Sequence, residues 1–361
     1  MKKNINLFII IVLVILAVSL QISIKSVSNE NADSGKNMPE TIKLNDYYKL
    51  TYVPGMKILP FGSNILIYDK TKLSLISSKL DPKNQDIFST NIQISDFFMV
   101  TKAEDIYLAD LTNKIIYKFD KSGLTVSQKQ LDKHIYDIHA FDKSRLIVHY
   151  NTDVGTQGLI LLDEKLNTVK EITFPNTTIT MIKEDPVNGN LLLSSLMKTD
   201  ENIINKFYIY DKDLRLISTK EFPNIVCSKL IIGKNHIIVV DPDSVYVCDK
   251  SFENAKKADS EENFRNAVLL NDEEICLIDG EKKVRHLGIN LEPKSEENYE
   301  NEIIGIKTFK NEPVVFTKDL LNIGKRQIHS QIELKDVIKL DSSHLLCVFR
   351  NGIKVIGENS K

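Results

Sequence analysis

From residue 41 onward the apolar residues fall in short runs rich in Ile, Val, Leu, Tyr and Phe, broken every few positions by Asp, Asn, Lys, Gly or Pro. No run keeps the three-to-four-residue spacing of an amphipathic helix, so the pattern predicts many short strands. One strand type recurs eight times: NILIYD (64–69), DIYLAD (105–110), RLIVHY (145–150), NLLLSS (190–195), HIIVVD (236–241), EICLID (274–279), PVVFTK (313–318) and HLLCVF (344–349). Their first apolar residues are Ile65, Ile106, Leu146, Leu191, Ile237, Ile275, Val314 and Leu345, a repeat of about 40 residues. Each is preceded by another apolar strand, such as KILPFG (57–62) or KLIIGK (229–234), and most are followed by a third and a fourth.

The third and fourth strands are clearest in LILLDEKLNTVKEITFPN (159–176) and FYIYDKDLRLISTKEFPN (207–224). Asp163 and Asp211 fall at the same place, as do Leu166 and Leu214, and both copies close on Phe-Pro-Asn. Asp-x-x-Leu is the predicted turn, because Asp accepts backbone hydrogen bonds at its own turn. The second strands are apolar on both faces, which suits strands covered from both sides, while the fourth strands mix in charge, which suits an outer, solvent-facing edge. Strands in fours at this period read as the blades of a β-propeller.

The rhythm resembles the superfamily of WD40-like and quinoprotein-like β-propellers, over residues 41–361. It departs from both in detail: there is no Gly-His…Trp-Asp repeat, and no Trp at all for a tryptophan docking motif. The anchor-plus-repeats layout also looks like the membrane-anchored propeller-like proteins of Firmicutes, which implies a location and no activity. The expected fold is all-β: a single β-propeller of eight four-stranded blades, or seven if the irregular 291–335 region hides a miscount. The last repeat has three strands, DVIKLD (336–341), HLLCVF (344–349) and GIKVIG (352–357). An open sheet edge invites aggregation. The segment at Lys49–Val53 is therefore expected to supply the missing outer strand, pairing with Ile353–Ile356.

The N-terminus changes the picture. Lys2 and Lys3 precede an apolar run from Ile5 to Ile24, and about 20 helical residues span about 30 Å, the thickness of a bilayer core. The basic flank sets the cytoplasmic side. The expected order is a cytoplasmic stub (1–4), a transmembrane signal-anchor (5–24), a polar tether (25–40) and an extracytoplasmic propeller (41–361). A cleaved signal peptide is the alternative, with Ala17-Val18-Ser19 offering the small residues cleavage needs; no Cys follows the run, which excludes a lipobox.

Composition narrows the chemistry mostly by exclusion. Net charge is -2, and the six Arg (145, 215, 265, 285, 326, 350) never cluster, so nucleic acid is not an expected partner. There is no Gly-rich phosphate loop, His-Glu-x-x-His or Gly-x-Ser-x-Gly motif. Cys227, Cys248, Cys276 and Cys347 form no Cys-x-x-Cys pair and sit in apolar runs, as small buried core residues do; a disulfide is the sharper reading. His134 and His139 share one strand and could pair on a metal, though ordinary strand histidines are the blander reading. Asp69, Asp110, Asp241 and Asp279 end four of the second strands and would form either a carboxylate ring for a cation or repeated turn caps. The acidic run LEPKSEENYENE (291–302) reads as a solvated excursion between blades, or a partner-contact loop. No residue is singled out as catalytic, cofactor-binding or metal-ligating, and no cofactor is expected. The expected function is a binding or scaffold module for an envelope protein or polymer; the alternative is a propeller hydrolase or lyase, which would bring three or more His, Asp or Glu together at the central channel.

Overall fold

The computed structural model describes residues 40–43, 47–80, 86–142, 144–199 and 202–357; the stub, the apolar segment and nearly all of the tether lie outside them. Eight antiparallel sheets follow one another along the chain, at 57–91, 97–130, 134–174, 178–223, 229–259, 264–298, 305–330 and 334–357. We call these blades 1 to 8. The first six take four consecutive strands each, in the order of the sequence. First strands of successive blades touch at all junctions but that of blades 3 and 4, which shares an apolar cluster, and Lys57–Phe61 of blade 1 touches Leu334–Lys339 of blade 8, so the sheets close into a ring. The fold is an eight-bladed β-propeller. Among the described residues, no helix is long and apolar enough to cross a membrane.

The buried side chains of the described residues fall into eight clusters, one at each seam between neighbouring blades. In blade 5, alternate residues of His236–Asp241 go opposite ways: Ile237 and Val239 pack toward blade 4, Ile238 and Val240 toward blade 6. All four are fully buried. Period-two alternation sends each strand's residues to both faces, and both faces are interior, hence the unbroken apolar runs.

The Asp-x-x-Leu turns explain the duplicated hairpin. Asp163 Oδ1 accepts from the amides of Lys165 (2.9 Å) and Asn167 (2.7 Å), and Asp211 Oδ1 from those of Asp213 (2.9 Å) and Arg215 (2.8 Å). The fourth residue takes a left-handed backbone: φ is 63° at Leu166, 55° at Leu214, 61° at Phe252 and 78° at Gly123. Only the last is the residue that accepts this conformation without steric cost. At the other three a large side chain turns inward and is about 98% buried, against the preceding blade. Lysines of that blade tie the turn down from outside: Lys118 Nζ donates to Glu164 O (2.9 Å) and Lys170 Nζ to Leu214 O (2.8 Å).

Ring closure uses the N-terminal segment, as expected, but through Tyr48–Lys49 and not through Lys49–Val53. Tyr48–Lys49 is the outer strand of blade 8, with Tyr48 opposite Ile353 and Lys49 opposite Gly352, and Leu50 N donates to Asn351 O (3.1 Å). Val53 lies past the pairing. The reason is visible at Gly352, where a Cβ would run into the Tyr47 ring and the Tyr48 carbonyl. Only glycine lets the strand approach there. A second contact was not legible: Ile42 O accepts from Gln331 N (3.0 Å) just past the outer strand of blade 7, and its side chain is 2% exposed. The acidic 291–302 run is not an excursion either. Pro293–Asn298 is the outer strand of blade 6, exposed along its whole length. An outer strand needs backbone partners and no apolar side chains, so its composition gave no strand signal.

Two predictions follow from packing. Gly352→Val should lower the melting temperature sharply or cause aggregation, because it strips the closing strand; an unchanged melting curve would show that Tyr48–Lys49 does not hold the ring. Leu214→Ala keeps the left-handed strain and loses only burial, so it should cost about 2–5 kcal/mol in denaturant melts. Leu214→Gly, which relieves the strain, should fall between wild type and the alanine variant.

Candidate functional site

Two regions concentrate polar chemistry: the central channel and the seam between blades 6 and 7. First strands wall the channel. One cavity of about 440 Å³ is lined from blades 1 to 4, including Lys57, Thr101, His139 and Lys183; another of about 440 Å³ is lined from blades 1, 7 and 8, including Lys57, Lys307 and Asp336. Lys57 belongs to both. Lys102 and Glu184, at the ends of the first strands of blades 2 and 4, meet at 2.9 Å across a non-neighbouring pair of blades. Lys307 lies 3.6 Å from Asp336.

Lys229, at the start of the first strand of blade 5, shows how basic the channel is. Its ammonium donates to Asn266 Oδ1. Burial first, then the charges of Lys307 and Lys183, lower its pKa to about 8. The like charges of Lys307 and Lys183 add to a depression that burial leads.

The histidines flagged by sequence separate. His134 Nε2 faces Asp153 Oδ1 (2.9 Å) at an exposed edge, while His139 Nε2 meets Asp137 Oδ1 at 3.0 Å, out of line for a hydrogen bond. His149 Nδ1 lies 3.5 Å from the same oxygen. Burial opposes the charge of Asp137, yet the two imidazoles hold its carboxyl far below the usual range. The four second-strand carboxylates act as local caps: Asp69 Oδ1 accepts from Thr71 and Lys72 amides, Asp110 from Asn113, Asp241 from Val226 and Asp243. Asp279 instead accepts from Glu262 N (3.1 Å) and Arg285 (3.1 Å). Each is committed to its own turn or neighbour.

The blade 6–7 seam holds a groove of about 740 Å³ between the outer strand Pro293–Asn298 and the third and fourth strands of blade 7. A polar chain runs along its floor: Asn322 Nδ2 donates to Tyr299 Oη (3.1 Å), which donates to Glu297 Oε2 (2.9 Å). Glu297 Oε1 then lies 3.6 Å from His286 Nε2, and His286 Nδ1 faces both Glu274 Oε1 (2.9 Å) and Cys276 Sγ (3.3 Å). Cys276 is fully buried and His286 is 7% exposed. Among the described residues this is the one place where three metal-ligating side chains converge, and it lies in a seam rather than at the channel. Sequence reading passed over it, taking Cys276 as core and His286 as one of seven scattered histidines. The available signal was Glu-x-Cys on one strand, which alternation puts on one face, followed by a tight hairpin that sets His286 opposite Cys276. The other cysteines behave as core: all four are buried, no disulfide joins them, and burial pushes the thiols of Cys227 and Cys248 up to about 12.

The lysine reading has a pH signature. Unfolding returns Lys229 from about 8 to its ordinary 10.5, so between those values the unfolded chain binds the extra proton and stability rises with pH. Lys229→Met should therefore melt higher than wild type at pH 7, and its advantage should shrink as pH rises from 8 to 10.5. An advantage that is flat with pH would remove the repulsion from the account.

No protein-family model matches this sequence, and no curated protein does. Solved structures match by shape. BamB from Moraxella catarrhalis superposes with a TM-score of 0.59 at 11% identity, covering 83% of this chain and 95% of that one. The dihydro-heme d1 dehydrogenase NirN, in complex with DHE, gives 0.61 at 9% identity over 87% of this chain and 76% of its own. BBS1N, in complex with ARL6DN, gives 0.52 at 11% identity over 74% and 94%. At such identities the likeness is one of fold, and the fold that this chain has in common with them is the β-propeller.

Proposed function

We propose that this chain is a binding propeller that takes an anionic partner, an acidic protein segment or a charged envelope polymer, on the lysines of its central channel. The observation that carries the reading is the channel wall: Lys57, Lys183 and Lys307 line its cavities, and Lys229, depressed by burial first, also feels the charges of Lys307 and Lys183. An anionic ligand would relieve that repulsion, and low-dielectric walls focus the field. That BBS1N is seen in complex with ARL6DN gives a precedent for a protein partner on this fold. The apolar run Ile5–Ile24 behind Lys2 and Lys3 supports a membrane tether with the propeller outside, the layout of the membrane-anchored propeller-like proteins of Firmicutes.

The test uses polyphosphate and poly-L-glutamate as probes, which separate a phosphate-bearing partner from a carboxylate-bearing one. One of them should bind, more weakly as salt rises. Lys183→Glu with Lys307→Glu should weaken binding at least tenfold, about 1.4 kcal/mol. Binding of neither probe, or binding unchanged by the double reversal, would overturn the reading. The tether is tested separately: protease added to intact cells should digest the propeller, and a mature chain beginning near Leu20 would show a cleaved signal peptide instead.

A further inference from the structure

We propose that Glu274, Cys276 and His286 form a transition-metal site, zinc by its donor set, in the seam between blades 6 and 7. The three donor atoms are Glu274 Oε1, Cys276 Sγ and His286 Nδ1. They stand 2.9 Å (O to N), 3.3 Å (S to N) and 3.8 Å (S to O) apart. Zinc bonds of about 2.0–2.3 Å in a tetrahedral arrangement set donor-to-donor edges of about 3.4–3.6 Å. The observed triangle reaches those edges with shifts of about half an ångström or less. A thiolate, an imidazole and a carboxylate together suit zinc and not calcium or magnesium, which want oxygen alone.

The backbone supplies the placement. Cys276 and His286 are directly opposed across the second and third strands of blade 6, and Glu274 lies two residues before Cys276 on the same face. These are interior strands of a sheet, rigid on the scale that metal geometry requires. The surroundings also fit. A ligating histidine donates its other ring N–H to a carboxylate, and Glu297 Oε1 stands 3.6 Å from His286 Nε2, which has no hydrogen-bond partner. Glu297 is in turn held by Tyr299. Lys294 Nζ sits 2.9 Å from Glu274 Oε2, the oxygen that the metal does not need.

Hydrogen bonding alone accounts for the cluster less well. If Nδ1 donates its one proton to Glu274 Oε1, the Cys276 thiol is left to donate to that same oxygen over a long 3.8 Å while its sulfur stands 3.3 Å from Nδ1. A cation at the centre of the triangle satisfies all three donors together. Three protein ligands leave a fourth tetrahedral position, the arrangement of zinc sites that accept water or a ligand. This site is separate from the channel lysines, so either proposal stands without the other.

The full chain, stripped with chelator and dialysed, is titrated with Co²⁺ as a spectroscopic stand-in for zinc. The expected result is one equivalent bound, with a thiolate-to-cobalt charge-transfer band and the visible intensity of a tetrahedral ion, both displaced by Zn²⁺. Cys276→Ser should abolish the charge-transfer band, and Cys248→Ala, a buried thiol in blade 5, should keep it. Glu274→Gln, a near-isosteric change at a position 27% exposed, should weaken cobalt binding at least tenfold while the circular dichroism spectrum is unchanged. X-ray absorption on the zinc form should give one sulfur per metal. Absence of cobalt binding at millimolar concentration, a band that survives Cys276→Ser, or a shell without sulfur would each overturn the site and leave a hydrogen-bonded cluster.

Discussion

Everything in this molecule depends on sheets packing face to face all the way round a ring. A free-standing sheet can leave one face to water; a propeller blade cannot, because each face is its neighbour's floor. The interior is therefore divided into eight seams in place of one central core. Each seam is an apolar layer shared by two blades, and the middle of the ring, where first strands converge, is left for polar groups. The same constraint decides where chemistry can sit. A charged residue is tolerated in the channel or on the rim; inside a seam it must be fully partnered. The lysines obey the first condition. The Glu274–Cys276–His286 cluster lies under the second, and its orphaned His286 Nε2 sets it apart from the well-capped aspartates elsewhere.

The sequence made the inner strands legible because burial on both faces writes itself as unbroken aliphatic runs. All eight second strands lie where those runs predict, and HIIVVD, EICLID and HLLCVF coincide with their strands residue for residue. The Asp-x-x-Leu turn was legible too, since capping and inward packing fix both residue types. Outer strands were legible only in part: those of the duplicated hairpin, Thr168–Phe174 and Leu216–Pro223, lie where expected, and others do not. Pro293–Asn298 is held by backbone pairing and by polar side-chain contacts, with no buried apolar residue, so PKSEEN carries no strand signature. Tyr48–Lys49 and the contact at Ile42 are too short to write a pattern, with Ile42 as the one buried residue. The candidate sites fared worse: the channel lysines are built between repeats, and the Glu274–Cys276–His286 cluster, though it lies within blade 6, forms only once the hairpin register is known. Lys57, Lys183, Lys229 and Lys307 come from four blades, and no spacing along the chain brings them together. Glu297 and Tyr299 belong to the acidic stretch that looked like a loop.

The turns carry a related lesson about local and long-range preference. Leu166, Leu214 and Phe252 adopt a backbone conformation that costs roughly 1–2 kcal/mol in an L-residue. Burying a side chain of that size returns about 1.5–3 kcal/mol, so the two effects nearly cancel and packing prevails by a small margin. Gly123, in the equivalent place, takes the other solution.

The pairing of Tyr48 with Ile353 joins the two extremes of the ring-forming chain. During synthesis the first of these partners leaves the ribosome long before the second exists. Blades 1 to 7 can assemble as they emerge, through contacts between near neighbours in sequence, but the Tyr48–Lys49 strand has to remain unpaired until Gly352 and Ile353 are made. For that interval the growing propeller is an open arc with a naked seam at each end. Closure is then a single late event that converts a string of weakly coupled sheets into one cooperative body, and its two-residue strand makes it the natural place for the ring to reopen.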